Sequence, residues 1–225
     1  MAKQISTGKC NLCSGTFSKN AMTKHLESCR QIKGTSETSS GNRSPQKTKC
    51  FHLLVEGRYL PEYWMHIEVP VNADFEVLDN FLRRTWLECC GHMSMFTIED
   101  KRYSCAPMED LNDEGFDVKL CDVLRIGMKF YHEYDFGTTT HLTLKVVSEG
   151  EGESKSKAVQ LLARNDPPSI TCSSCRQPAT QLCTECARSG EGWLCDKCAA
   201  DHKCDKDMQL PVVNSPRVGM CGYTG

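Results

Sequence analysis

FHLLVEGRYLPEYWMHIEVPVNADFEVLDNFLRRTW, residues 51–86, carries the pattern that decides the fold. Phe51, Leu53 and Val55 alternate with their neighbours, as do Met65, Ile67 and Val69, the period of two expected of strands with one buried face. Gly57-Arg58 lies between the runs, so they read as a hairpin. The period then changes. Asp74 is placed to cap a helix in which Phe75, Leu78, Leu82 and Trp86 recur at helical spacing, with Asp79, Arg83 and Arg84 on the other face. Such a helix covers one face of a sheet.

Further strands are expected at 95–98, 101–104, 129–135, 141–147 and 159–163, with a helical turn near Leu120–Leu124. Two strands, a helix and more strands resemble a β-grasp arrangement, so the fold class expected is α+β. Glu149–Lys157, rich in Gly, Ser and charge, is expected as an exposed connection between the last two strands. Before this core, Gln31–Lys49 lacks apolar periodicity and reads as a flexible linker. After it, Pro167-Pro168 breaks the chain. The expected organisation is a finger at 1–30, a linker at 31–49, an α+β domain at 50–166 and a cysteine-rich module at 167–225.

The ends differ from the middle in cysteine. Of 16 cysteines, three lie at Cys10, Cys13 and Cys29, and eight between Cys172 and Cys221. No apolar segment between Met1 and Cys10 marks the chain for export, and no run approaches the roughly 18 apolar residues of a membrane helix. We therefore expect a cytoplasmic protein whose paired Cys-x2-Cys motifs bind metal rather than form disulfides. Cys10-x2-Cys13 followed by His25-x3-Cys29 is a ββα finger pattern, since positions i and i+4 of a helix share a face. Phe17 and Met22 supply a small core.

Cys172-x2-Cys175, Cys183-x2-Cys186 and Cys195-x2-Cys198, with His202, Cys204 and Cys221, offer nine ligands for the eight places of two tetrahedral sites. By analogy with cross-brace modules, Cys172, Cys175, Cys195 and Cys198 form one site. Cys183, Cys186, Cys221 and either His202 or Cys204 form the other, with a sequential pairing still open. Three Zn²⁺ ions are expected. Sites filled by four protein ligands leave no place for an activated water, so their work is folding.

The middle of the chain is similar to the Ri-plasmid ORF-three-like domain family. The resemblance lies in Trp64 followed by Val69-Pro70, in Leu78–Trp86, in Gly91-His92 with Phe96, and in Tyr134-Asp135-Phe136-Gly137. The segment Leu210–Pro216 resembles a zinc-bearing subset of that family. Met65-His66 stands where the family usually carries Arg after the Trp, so no role of those arginines transfers. The resemblance implies an α+β core in a prokaryotic protein, in some members beside mobile elements, and implies no activity, cofactor or substrate. Asp135-Phe136-Gly137 lacks the companion motifs of a kinase and is expected to make a turn.

Function is expected to be zinc-dependent interaction with a protein partner, without catalysis. Residues 1–49 hold nine Lys/Arg against Glu27 and Glu37, a balance of +7, which leaves −9 on the rest of a chain of net −2. A nucleic-acid partner would therefore meet Lys19, Lys24, Arg30 and Lys33 of the finger. The alternative is an enzyme or thiol redox sensor built on Cys89, Cys90 and His92, with His132, Asp135 and His141 nearby. A third, a ubiquitin-like modifier, rests on the β-grasp outline and Gly225.

Overall fold

The structure, a computed structural model, describes residues 6–36, 47–153 and 158–225. In chain order the strands are β1 (Thr7–Cys10), β2 (Thr16–Ser18), β3 (Lys47–Gly57), β4 (Trp64–Pro70), β5 (Ser94–Ile98), β6 (Lys101–Ser104), β7 (Lys129–Tyr134), β8 (Thr140–Glu153), β9 (Gln160–Asn165), β10 (Gln181–Cys183), β11 (Trp193–Leu194) and β12 (Gln209–Pro211). The helices are α1 (Lys19–Ser36), α2 (Phe75–Leu82), α3 (Leu120–Val123), α4 (Thr184–Ala187) and α5 (Asp196–Ala200). Nine strands form one sheet in the order β2-β1-β9-β4-β3-β8-β7-β5-β6, and every pairing between them is antiparallel. The expectation is met as α+β. A nine-stranded, wholly antiparallel sheet departs from the simple β-grasp outline.

The hairpin of residues 51–86 is β3 and β4, paired from Cys50–Pro70 to Glu56–Trp64. One face of it packs under α2 in a core of Phe51, Leu53, Val55, Met65, Ile67, Phe75, Leu78 and Leu82, all nearly inaccessible to solvent. Asp74 caps α2, its Oδ1 accepting from the Val77 N–H at 3.1 Å, and so satisfies one of the unpaired donors of the first turn. The helix then widens into a π turn over Arg83–Leu87, closed by Glu88 N–H donating to Arg83 O at 2.9 Å. The wider turn lets the adjacent Trp86 and Leu87 both enter the core.

Several expectations need correction. Asp79 does not face solvent: its carboxylate is buried and accepts from Arg83 Nε at 2.5 Å and pairs with His132 Nε2 at 2.7 Å. The partners that make this burial tolerable come from the next helical turn and from β7. The β4 strand alternates in residue type but not in burial, because its second face is covered too. Trp64 on that face joins Cys10, Met22, Leu26, Leu162 and Ala163 in a second apolar cluster. The N-terminal hairpin is thus an extension of the sheet, with Gly8 opposite Asn165 and Cys10 opposite Ala163. A Cβ on Gly8 would lie 2.2 Å from Arg164 O and 2.7 Å from a Trp64 ring carbon, so only glycine permits the approach.

Parts of the expected linker and of the expected last connection are helix and strand instead. Helix α1 runs on to Ser36 and β3 begins at Lys47, leaving only 37–46 of the expected linker outside the described residues. Residues 31–33 are helical because Gln, Ile and Lys cost little in a helix. Strand β8 continues through Glu149–Glu153 because Lys47–Phe51 offers it a pairing edge, so the expected connection there is strand. Residues 154–157 lie outside the described residues. A second, three-stranded sheet, β11-β10-β12, organises the cysteine-rich segment. Among the described residues, no helix is long and apolar enough to cross a membrane.

Candidate metal centres

Among the described residues, four groups of Cys and His place their ligand atoms within 4.8 Å of one another. They use thirteen cysteines and three histidines, so none of the expected ligands is surplus. Cys50, Cys105 and Cys121 stand outside them.

The first group is Cys10, Cys13, His25 and Cys29. Strand β1 ends in a tight turn in which Cys10 N–H donates to Gly15 O at 2.9 Å and Ser14 takes a positive φ of 62°. Helix α1 presents His25 and Cys29 on one face. Cys13 Sγ lies 3.3 Å from His25 Nε2, and Cys10 Sγ lies 4.0 Å from Cys29 Sγ. The His25 ring stacks on Phe17 with centroids 4.0 Å apart, which fixes its plane, while Met22 and Leu26 are buried beneath.

The next two groups interleave. Cys172, Cys175, Cys195 and Cys198 form one, with Cys175 and Cys195 Sγ atoms 3.5 Å apart. Cys183, Cys186, His202 and Cys204 form the other, with Cys186 Sγ 3.5 Å from His202 Nε2 and 3.6 Å from Cys204 Sγ. The order along the chain is therefore first, second, first, second, a cross-brace. His202 and Cys204 both belong to it, and the place expected for Cys221 is taken. Little apolar matter holds this module: Cys183, Leu194 and Ala199 form its buried cluster.

Electrostatics in these groups follow from where backbone N–H groups aim. Burial opposes ionisation of Cys172, but the backbone N–H groups of Cys175, Cys195 and Ser174, in that order, bring it down to about 6. Cys183 is likewise lowered to about 7, burial being outweighed by the N–H of Cys186 and by His202. Their neighbours move the other way: Cys198 is pushed up to about 12 by hydrogen bonds from Cys175 and Cys195, and Cys204 to about 12 by Cys186 and burial. Burial and the Cys10 charge push Cys29 up to about 12. Adjacent thiols cannot all ionise against mutual repulsion. A divalent cation at the centre removes that repulsion, and soft sulfur with imidazole is the donor set that zinc accepts.

The fourth group was not expected as a metal site. Cys89, Cys90 and His92, considered from sequence as a thiol site, are joined by Cys221 from the far end of the chain. This corrects the assignment of Cys221 to the C-terminal module. The tail reaches the central domain because Ser215 Oγ donates to Trp86 O at 2.7 Å and the buried Arg217 donates to Thr138 O, Thr140 Oγ1 and Asp135 Oδ2. Asp135 is within 3.4 Å of His92 Nε2, whereas His132 is committed to Asp79 and His141 to Glu133. Sequence reasoning missed Glu88, Tyr134 and Arg217 around this group, and no local signal ties the last of these to it. The Asp135-Phe136-Gly137 turn is present: Asp135 has φ 65° and its Oδ1 accepts from Gly137 and Thr138 N–H.

The basic residues of the N-terminal segment are partly spent on the fold. Lys19 donates to Glu56 at 2.5 Å and to Pro61 O at 3.2 Å, and Arg30 pairs with the buried Glu68. Lys24 remains exposed, and the side chain of Lys33 lies outside the described residues.

No family model matches the chain, and no curated protein matches it. Among solved structures it is similar to a protein of unknown function, MM3350 from Methanosarcina mazei Go1. The identity is 16% and the TM-score 0.48, over 54% of this chain and 72% of that one.

Proposed function

We propose that the chain is a zinc-binding, non-enzymatic interaction protein, in which a finger at one end of the sheet and a cross-braced module present surfaces to a protein partner. The observation that carries this reading is that the first three groups are each complete at four ligands, the composition of structural rather than catalytic zinc sites. A closed site gives no position for water or substrate, so the metal serves shape. The likeness to the Ri-plasmid ORF-three-like proteins belongs to the same reading and adds a fold without an activity.

Nucleic acid is the second partner class within this reading, supported by the +7 balance of residues 1–49. It is weakened by the ion pairs that neutralise Lys19 and Arg30. One finger spans only about three base pairs, so contact through it would be with phosphate more than with sequence.

The test uses the full chain as bait, with and without a strong chelator, and analyses captured protein and co-purified nucleic acid separately. Capture of a defined partner that disappears on chelation is the expected result. Binding of nucleic acid that weakens steeply between about 50 and 200 mM salt would support the phosphate reading. Partner capture unchanged by complete metal removal would refute the zinc-dependent role.

A further inference from the structure

The fourth group has the construction of a metal centre rather than of a reactive thiol pair. Adjacent side chains normally diverge. Here the chain leaves the π turn at Leu87 and bends through Gly91, whose φ is 77°, so that Cys89 and Cys90 Sγ atoms lie 3.6 Å apart. His92 Nε2 is 3.0 Å from Cys90 Sγ and 3.2 Å from Cys221 Sγ, and Cys90 and Cys221 Sγ atoms are 3.8 Å apart. A tetrahedron of sulfur about 2.3 Å from zinc has edges of about 3.8 Å. The sulfur–sulfur contacts of the other three groups, 3.5 to 4.0 Å, are of the same length.

The surroundings match the charge of such a centre. Three thiolates and one imidazole around a divalent ion leave a net −1. Arg217, whose side chain is wholly buried, sets Nη2 3.3 Å from Cys89 Sγ and 2.7 Å from Asp135 Oδ2. It offsets the excess charge and pairs with Asp135, the carboxylate 3.4 Å from His92 Nε2. Tyr134 Oη accepts from the backbone N–H of Cys89 and of His92 and donates to Glu88, which also accepts from Gly91 N–H. The bend that carries three ligands is thus fixed by a second layer of hydrogen bonds, as metal ligands require. Cys221 arrives in the left-handed region at φ 48°, followed by Gly222 at 67°. A non-glycine residue held there is strained, and such strain gathers at ligand clamps.

We propose that Cys89, Cys90, His92 and Cys221 bind a fourth zinc ion, and that this ion fastens the C-terminal tail to the central domain. It joins residues 131 positions apart and closes the cysteine-rich module into a loop held at both ends. The inference requires thiolate–zinc chemistry but not the interaction role proposed above.

Native mass spectrometry of the reduced full chain should give four zinc ions, one for each group. Cys90→Ser and Cys221→Ser should each give three, whereas Cys121→Ser, outside every group, should keep four. Limited proteolysis should cut residues 212–225 sooner in Cys221→Ser than in wild type. Because a substituted chain can misfold, the wild type supplies a second measurement. With zinc bound, iodoacetamide should spare Cys90 and Cys221, although both are exposed, and modify the exposed Cys105. Three ions in the wild type, with Cys90 and Cys221 alkylated as fast as Cys105, overturn the fourth site and leave the other three standing. A reduced wild type with no zinc overturns the fourth site and the zinc-binding function together.

Discussion

Acid should destabilise this protein through two histidines that bind no metal. His52 and His66 are wholly buried on neighbouring positions of β3 and β4, with His52 Nε2 2.9 Å from His66 Nδ1. No described protein group lies within hydrogen-bonding distance of His52 Nδ1 or His66 Nε2, so an added proton on either ring finds no acceptor. Burial, then the neighbouring His66 and Arg30, lowers His52 to about 3; burial, then Lys19, lowers His66 to about 4. Unfolded imidazoles titrate near 6.5. The folded values lie below the unfolded one, so the unfolded chain binds more protons between them and stability falls as pH falls.

The magnitude follows directly. At pH 5 an unfolded imidazole gains about 2 kcal/mol from protonation, while the buried rings stay essentially neutral, so the pair costs about 4 kcal/mol relative to pH 8. For a chain of this size, at about 2–4 °C per kcal/mol, the melting temperature should drop by roughly 10 °C from this cause. Acid also releases zinc, so the assay is a difference. Thermal melts between pH 8 and pH 5 are compared for wild type and for His52→Gln/His66→Gln, which keep the same metal ligands. The double variant, less stable at pH 8, should lose markedly less between the two pH values. An equal acid drop in both proteins would refute the reasoning.

Three other outcomes follow from the packing. Trp64→Ala empties a fully buried site between α1 and the sheet and should cost about 3–5 kcal/mol, with amides of Thr7–Cys10 exchanging faster by hydrogen–deuterium exchange. Asp79→Ala leaves the buried His132 without its carboxylate and the half-buried Arg83 with Glu88 alone, and should cost about 3–5 kcal/mol, read as a shift in denaturant midpoint. His202→Ala and Cys204→Ala should each release the same zinc ion to a colorimetric chelator faster than wild type, since both belong to one group.

The parts of this molecule that sequence discloses are those whose causes are local. Strand β6 falls on the expected 101–104 because alternation and the flanking turn decide it within a few residues. Asp74 is recognisable as a cap because it needs only the N–H three residues on. What escaped notice depends on distant partners. A helical projection put Asp79 outside, and only His132, 53 positions later on β7, makes its burial affordable. The N-terminal segment reads as a separate finger because Cys10, Cys13, His25 and Cys29 and their small core are self-contained in sequence. Its docking depends on β1 meeting β9, a pairing that requires Gly8 against Arg164 and cannot be inferred from either strand alone.

Cys221 shows most plainly how this limit acts on metal sites. Spacing assigns a lone cysteine to the nearest incomplete set, and nine candidates for eight places made Cys221 look like the last ligand of the module. The module is already complete without it, because His202 and Cys204, only two residues apart, both turn inward to Cys186. Meanwhile Cys89-Cys90-Gly91-His92 supplies three donors that the bend through Gly91, just after the π turn, brings to one point, and three donors leave one tetrahedral place open. The tail answers that need. Ser215 and Arg217 bond to Trp86 and Asp135 on either side of the bend, and these contacts bring Cys221 to the group from 129 residues beyond His92. The surplus in one count and the deficit in the other are therefore the same residue. Counting ligands over the whole chain, rather than cluster by cluster, is the step that connects them.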